Sequence, residues 1–124
     1  MLEAAHKRYA GRVNFLAVYV REAHPLDGWY VGPSDDKGTK VKQPRTAKER
    51  TAVAKTCCDS LGISMPMVVD DINDRVGHAY SAMPDRMYVL DSDGRVAYKG
   101  GRGPFGEKVV VISVASGGDI ERSA

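Results

Sequence analysis

The sequence predicts a single α/β domain, and three observations support this prediction. The chain has 124 residues, 43% of them hydrophobic, which is enough for one buried core. Predicted helices and strands alternate along the chain, as they do in α/β sheets. The apolar strand at residues 13–20 runs directly into a loop of ionisable side chains. Open α/β sheets build their sites at such strand ends.

The first half of the chain is predicted to form a helix, a buried strand and a long loop. The helix covers residues 2–10 and ends at Gly11, a residue suited to a left-handed cap. The strand at residues 13–20 precedes a loop at residues 21–45 that is rich in Gly, Pro and charged residues. Because this loop is longer than a simple connection needs, we expect it to carry function.

A capped helix is predicted to follow the loop. Thr46 and Glu49 have the T-x-x-E spacing of a capping box, in which two side chains bind free backbone groups at a helix start. The helix is expected to end at Gly62. Its predicted buried face carries Ala47, Val53, Ala54 and Cys57.

The second half is predicted to form a strand, a short helix and a hairpin. The strand covers residues 66–70 and the helix residues 73–82. Two further strands, at residues 86–91 and 95–99, are joined by a loop with the Asp-Gly pair typical of hairpins. A helix before the first strand implies an additional strand ahead of it, since crossover helices join parallel strands.

Composition excludes several classes of function. Lys and Arg number 18 and Asp and Glu 16, and the two signs are interspersed, so no basic face for nucleic acid or membranes is predicted. The apolar runs are too short to span a bilayer and the amino terminus has no leader pattern, which predicts a cytoplasmic protein. Adjacent Cys57 and Cys58 form neither a CxxC pair nor a metal cluster. We expect one to pack inward, the other to lie at the surface, and no metal site.

Two motifs carry a family resemblance. Residues 22–29 read EAHPLDGW, and residues 84–106 read PDRMYVLDSDGRVAYKGGRGPFG. Together they resemble the iodothyronine deiodinase family, in particular its bacterial members, over residues 2 to about 106. The resemblance implies a thioredoxin-like fold. Family members carry a selenocysteine or cysteine at the end of the first strand, and this residue attacks iodine on an aromatic ring.

The chain has no such nucleophile at the corresponding place. The resemblance therefore implies that residues 1–124 are one incomplete thioredoxin-like domain, truncated before the central, nucleophile-bearing first strand and inactive as written. A selenocysteine codon read as a stop would account for a start at the next methionine. Residues 107–124 are expected to diverge from the family. Within them Val109–Ala115 favours a strand and is apolar enough to occupy the vacant central place.

The resemblance implies catalytic roles for Glu22 and His24. An imidazole titrates near neutrality, so it can hold the anion of the nucleophile or transfer a proton. In an extended chain Glu22 lies on the same side as His24 and can orient its ring. The alternative for His24 is a structural hydrogen bond in the loop.

Roles are also predicted for four further residues. Asp27, Trp29 and Arg102 are expected to contact the substrate, with Arg102 binding a carboxylate or phenolate. The alternatives are a turn for Asp27, a plug at the core edge for Trp29 and a solvated charge for Arg102. The resemblance makes Pro84 a structural cis-proline beside the nucleophile.

The predicted function is the reductive removal of iodine or another halogen from an aromatic substrate by a selenol or thiol. An iodinated phenol is the expected substrate and a thiol reductant the electron donor, with no other cofactor; a homodimer is left open. Two alternatives remain: a peroxiredoxin-like or thiol-disulfide redox protein, and a non-catalytic or vestigial thioredoxin-like domain.

Overall fold

The computed structural model describes residues 2–23, 25–28, 41–102 and 109–115, the last segment by its backbone. The elements in chain order are α1 (Leu2–Arg8), β1 (Val13–Tyr19), α2 (Ala47–Leu61), β2 (Met67–Val69), α3 (Arg75–Ala79), β3 (Met87–Leu90), β4 (Val96–Lys99) and β5 (Val109–Ala115). This mixture of helices and strands confirms the predicted α/β class.

The strands form one five-stranded sheet in the order β2-β1-β5-β3-β4. β1 runs parallel to β2 and antiparallel to β5, while β3 runs parallel to β5 and antiparallel to β4. The prediction that Val109–Ala115 forms a strand in the middle of the sheet is therefore confirmed. A run of β-branched residues suits this position, since a central strand is covered on both faces.

The register places several strand ends at one edge of the sheet. Tyr19, at the end of β1, pairs with Val109 at the start of β5, and Met87 at the start of β3 pairs with Val111. β2 and β4 also end here, because β2 is parallel to β1 and β4 is antiparallel to β3. We call this the Glu22 edge.

The core is built around the end of β1. Four successive residues are buried there: Ala17, Val18, Tyr19 and Val20. Val18 and Val20 pack with Tyr88 on one face of the sheet, and Tyr19 packs with Ala54 and Cys57 of α2 on the other. Side chains of a strand alternate between faces, so an uninterrupted apolar run indicates a strand buried on both sides.

The start of α2 follows the predicted capping box in part. The Thr46 hydroxyl accepts a hydrogen bond from the Glu49 N–H at 3.1 Å, as predicted. The Glu49 carboxylate accepts from the Arg45 N–H at 2.8 Å, one residue earlier than the standard box. The helix ends at Gly62, whose φ of 62° is left-handed.

The buried face of α2 differs from the prediction. Ala54 and Cys57 are buried as expected, but Ala47 is exposed and Arg50 is buried instead. The Arg50 guanidinium lies 2.8 Å from the Asp74 carboxylate and donates to the Asp71 carbonyl at 2.5 Å. These contacts hold α2 against the loop between β2 and α3, so this face turns inward.

The helix predicted at residues 73–82 is shorter in the structure, where α3 covers Arg75–Ala79. Asp74 has a left-handed φ of 60°, so the helix begins after it, and Ser81, at φ 49°, lies beyond its end. The Asp70 carboxylate accepts from the N–H groups of Val76 and Gly77 at 3.0 and 2.8 Å. Asp70 thus fastens the start of α3 to the end of β2.

The hairpin is confirmed and the cysteines lie as predicted. The Asp91 carboxylate accepts from the N–H groups of Asp93 and Arg95, closing the turn between β3 and β4. Cys57 and Cys58 do not form a disulfide. Cys57 is buried, whereas Cys58 is half-buried and donates from its thiol to a backbone carbonyl at 3.4 Å.

Candidate functional site

The Glu22 edge gathers four of the residues predicted for the site. Glu22 and Asp27 follow β1, Pro84 precedes β3, and Arg102 follows β4. Neighbouring strands lie about 4.8 Å apart, which puts β3 about 10 Å and β4 about 14 Å from β1 across the sheet. The register therefore brings these residues to one side of the molecule.

Glu22 is a buried acid whose carboxylate accepts a hydrogen bond from another side chain. Its side chain is 4% exposed, and its carboxylate accepts a hydrogen bond from the Tyr19 hydroxyl. Tyr19 is itself buried between β1 and α2, against Ala54 and Cys57. Because the Tyr19 ring is fixed in the core, its hydroxyl holds the Glu22 carboxylate in place. A carboxylate in such a place is a candidate for proton transfer.

The backbone of Glu22 is held by the side chain of Gln43. The Glu22 N–H donates to Gln43 Oε1 at 3.0 Å, and Gln43 Nε2 donates to the Glu22 carbonyl at 3.0 Å. A terminal amide offers one acceptor and one donor group, so it matches the backbone of an extended residue at two points. Gln43 thereby acts as a strand partner where the ladder of β1 has ended.

Asp27 is joined to the same residue. Its carboxylate accepts a hydrogen bond from the Gln43 N–H at 2.8 Å. This bond, helped by the nearby charges of Arg45 and Lys42, holds the pKa of Asp27 below its ordinary value. The Gly28 N–H donates to the Pro25 carbonyl at 3.1 Å, so Asp27 does lie in a turn.

A pocket of about 590 Å³ opens beside Asp27. It is lined by Asp27, residues 41–45, Glu49 and Val53. Val41, Pro44 and Val53 give it apolar walls, and charges of both signs surround them. This combination suits a ligand that has an apolar body and a polar or charged end.

The Met83–Pro84 peptide bond is cis, the isomer that the family resemblance implied. Arg86 connects this segment to the loop after β4, since its Nε donates to the Ser81 carbonyl at 2.8 Å and its Nη1 to the Gly100 carbonyl at 3.1 Å. Arg102 follows that loop and is exposed. Its guanidinium is therefore accessible to a solute at this edge.

The structure leaves part of the predicted site untested. His24 and Trp29 lie outside the described residues, so the pairing of Glu22 with His24 stays a prediction. Sequence reasoning did not identify Tyr19, Gln43 and Arg86. Arg86 stands inside the second motif and could have been weighed there, whereas Gln43 gives no periodic signal. Within the described ranges, no three His, Cys, Asp or Glu side chains cluster as metal ligands do.

The chain is similar to curated deiodinases. Thyroxine 5-deiodinase of Sparus aurata is 36% identical over 102 residues, which are 82% of this chain and 36% of that protein. The Homo sapiens thyroxine 5-deiodinase is 34% identical, over 82% of this chain and 32% of its own length. The type I iodothyronine deiodinase of Xenopus laevis is 34% identical over 77% of this chain and 35% of its own length.

The chain spans about a third of the length of the curated relatives it matches. No solved structure was found to match it.

The prediction of a cytoplasmic protein is wrong. It depended on short apolar runs and the lack of a leader pattern, whereas the deiodinase relatives are integral membrane proteins. Of the helices that the structure describes, none is long and apolar enough to cross a membrane.

The family comparison covers the whole of the site described above. The model of the iodothyronine deiodinase family matches residues 4–114. This range includes both sequence motifs, the Glu22 edge and nearly all of β5. The chain belongs to the iodothyronine deiodinase family.

Proposed function

We propose that this chain is part of an oxidoreductase that removes iodine reductively from a phenolic substrate at the Glu22 edge. The observation that carries the proposal is the buried Glu22 carboxylate, which the Tyr19 hydroxyl holds at the edge shared by Pro84 and Arg102. The names of the relatives, thyroxine 5-deiodinase and type I iodothyronine deiodinase, support iodinated aromatic compounds as the substrate class.

The proposed fold is thioredoxin-like without its first strand. In the whole protein a nucleophile-bearing strand then runs beside β1 in the centre of the sheet. The sheet order supports this proposal in that one strand, β5, separates β1 from β3, and this is the place proposed for the nucleophile-bearing strand in the whole protein. The cis peptide before Pro84, directly ahead of β3, agrees with it.

The nucleophile is proposed to come from polypeptide other than these 124 residues. An attacking selenol or thiol must reach an iodine atom on the substrate. Cys57 is buried against Tyr19 and Ala54. Cys58 lies in the last turn of α2, and its thiol donates to the Ile63 carbonyl. Neither sulfur is placed for this attack, so these residues by themselves should be inactive.

The proposed reaction has three steps, and its atoms and electrons balance. The selenol or thiol, as its anion, attacks iodine; the carbon–iodine bond breaks, and its electron pair stays on the ring carbon, which takes up a proton. A thiol reductant then attacks the sulfur or selenium that carries the iodine, releases iodide and forms a mixed disulfide or selenosulfide. A second thiol restores the nucleophile, so the substrate gains two electrons from two thiols.

The residues of this chain supply positioning and proton transfer. Glu22 orients His24, which delivers the proton for the ring carbon and stabilises the nucleophile as its anion. Arg102 binds the phenolate or a carboxylate of the substrate. Asp27 and Trp29 contact the substrate from the loop after β1.

Sequencing the DNA upstream of Met1 in frame, and assaying the whole protein, tests this function. We expect a strand that ends in a cysteine codon or TGA, and release of iodide from an iodinated phenol in the presence of a thiol. Replacing the encoded nucleophile with serine is the control and should abolish release. Faster reduction of peroxide than of the iodophenol would favour a peroxiredoxin-like enzyme instead.

A non-catalytic domain is the second candidate. The placement of Cys57 and Cys58 favours it if the upstream DNA encodes no nucleophile. In that case the purified protein should bind an iodophenol without releasing iodide.

A further inference from the structure

We propose that Gln43 is a positioning residue that sets the place of the Glu22 carboxylate, by holding the Glu22 backbone with its side-chain amide and Asp27 with its backbone N–H. This inference rests on the proposed function for its effect on the reaction. The contacts themselves belong to the fold.

The geometry of the Gln43 amide restrains Glu22. Both bonds between Gln43 and the Glu22 backbone are 3.0 Å long, and they join residues 21 positions apart in the sequence. The orientation of the amide is fixed, because a flip would set its NH2 group against the Glu22 N–H and its oxygen against the carbonyl. Two parallel bonds restrain rotation as well as distance, so Glu22 leaves β1 in one direction.

Gln43 is itself anchored by its neighbours in the chain. It precedes Pro44, which is buried and biases Gln43 towards an extended backbone. Two residues later, the Arg45 N–H donates to Glu49 in the first turn of α2. The packed helix α2 therefore fixes the backbone at Gln43. The two hydrogen bonds of the Gln43 amide in turn restrain Glu22.

Hydrogen bonds also join the two ends of the long loop that follows β1. The Leu26 N–H donates to the Val41 carbonyl at 2.8 Å, and the Gln43 N–H donates to Asp27 at 2.8 Å. Together with the Glu22 contacts, these bonds join both ends of the long loop that begins at residue 23. The ends of the segment that contains His24 are thus fixed relative to Glu22.

Charged neighbours decide which substitution is informative. The residues that contact Gln43 or line the pocket with it carry charges of both signs: Glu22, Asp27, Glu49, Lys42 and Arg45. In Gln43→Glu an ionised carboxylate keeps the acceptor, loses the donor and adds a like charge beside Glu22. A protonated carboxyl has one donor and one acceptor, so acid restores the lost bond to the Glu22 carbonyl without any change of sequence.

The experiment compares Gln43→Glu, Gln43→Met and the wild type in the whole protein at pH 7 and pH 4, with Thr51→Ala as control. Thr51 is exposed on α2 and loses one hydrogen bond on substitution, to Ala47. We measure iodide release from an iodophenol and hydrogen exchange of the Glu22 N–H, each relative to the wild type at the same pH.

At pH 7 both Gln43 variants should lower kcat by about 10- to 100-fold, with KM changed much less, since misplacement of about 1 Å is costly at a reacting centre. Exchange of the Glu22 N–H should rise about tenfold in Gln43→Met, which removes its acceptor; a tenfold rise corresponds to about 1.4 kcal/mol of lost hydrogen bonding. Gln43→Glu keeps that acceptor, so its Glu22 N–H should exchange much less. At pH 4, below the ordinary Glu pKa of about 4.3, Gln43→Glu should recover in part towards the wild type, while Gln43→Met should not. The Thr51→Ala variant should keep the wild-type kcat and exchange at both pH values.

Two results separate the failures. If the wild type releases iodide and Gln43→Glu has its kcat at both pH values, Gln43 does not position Glu22 and the inference is overturned. If the wild type releases no iodide, the proposed function fails, and exchange decides the inference. Loss of protection of the Glu22 N–H in Gln43→Met but not in Thr51→Ala supports it, and unchanged protection in Gln43→Met overturns it.

Discussion

Two buried carboxylates stand at the same edge of the sheet, one after β1 and one after β2, and they are held in different ways. Asp70, 5% exposed, accepts three backbone N–H groups, from Asp71, Val76 and Gly77. Glu22, 4% exposed, accepts a hydrogen bond from the side-chain hydroxyl of Tyr19, and the Gln43 side chain binds the Glu22 backbone.

The nature of the donors separates a structural acid from a candidate catalytic one. Backbone N–H groups cannot rotate and do not exchange protons in a reaction, so the carboxylate of Asp70 is committed to fastening α3. A phenol hydroxyl rotates and both donates and accepts. Burial alone would have ranked the two acids as equals, whereas their partners distinguish them.

The largest expected effect is on stability, from Asp70→Ala. The substitution leaves the buried N–H of Gly77 and the part-buried N–H of Val76 without their acceptor, so the free energy of unfolding should fall by about 3 kcal/mol. Urea unfolding measures this. Asp59→Ala, on the exposed face of α2, is the matched control and should change it by less than about 0.5 kcal/mol. Similar losses for the two variants would contradict the structural role of Asp70.

Glu22→Gln should show the opposite pattern, a loss of rate without a loss of stability. The amide keeps a carbonyl oxygen for the Tyr19 hydroxyl, so the free energy of unfolding should change by less than about 1 kcal/mol. It cannot transfer a proton or hold an imidazolium, so iodide release by the whole protein should fall about 100-fold or more. Glu3→Gln controls for removal of a hydrogen-bonded carboxylate elsewhere. An unchanged rate would remove Glu22 from the proposed mechanism.

Much of the fold could be predicted because its signals are local. A strand buried on both faces reads as an apolar run, the Asp-Gly pair marks the hairpin, and Thr46 with Glu49 marks the start of α2. β-branched composition alone marked Val109–Ala115 as a strand, and its central place followed once the thioredoxin-like order was assumed. The family match reaches residue 114, past the point where the motifs end.

The features that were not predicted depend on contacts between residues far apart in the sequence. Arg50 lies four and seven positions before Ala54 and Cys57, in phase with the buried face, but its charge argued for exposure until the structure supplied Asp74 as partner. Gln43 binds Glu22 across 21 positions, and an isolated Gln in a polar loop has no pattern. The position of Glu22 was predicted from the motif, but the residues that hold it were not.

A third carboxylate at this edge, the exposed Asp27, sharpens the comparison and should give the smallest effect. The hydrogen bond from the Gln43 N–H, with the charges of Arg45 and Lys42, lowers its pKa in the folded protein. Its contribution to stability is therefore complete above the pKa of an unfolded Asp, about 3.9, and is lost as the pH falls through the lower folded value. Because the group is exposed and screened by solvent, this contribution should be small.

Asp27→Asn tests the sign of this contribution. At pH 7 the variant should melt slightly below the wild type, and the two melting temperatures should converge as the pH falls below about 3.9, where the wild-type carboxyl also becomes neutral. Thermal melts followed by circular dichroism between pH 7 and pH 2.5 measure the difference. Asp59→Asn removes the same charge from α2 and controls for the change in net charge. A gap between wild type and Asp27→Asn that widens in acid would show that the Gln43 contact favours the protonated carboxyl, opposite to the direction the hydrogen bond implies.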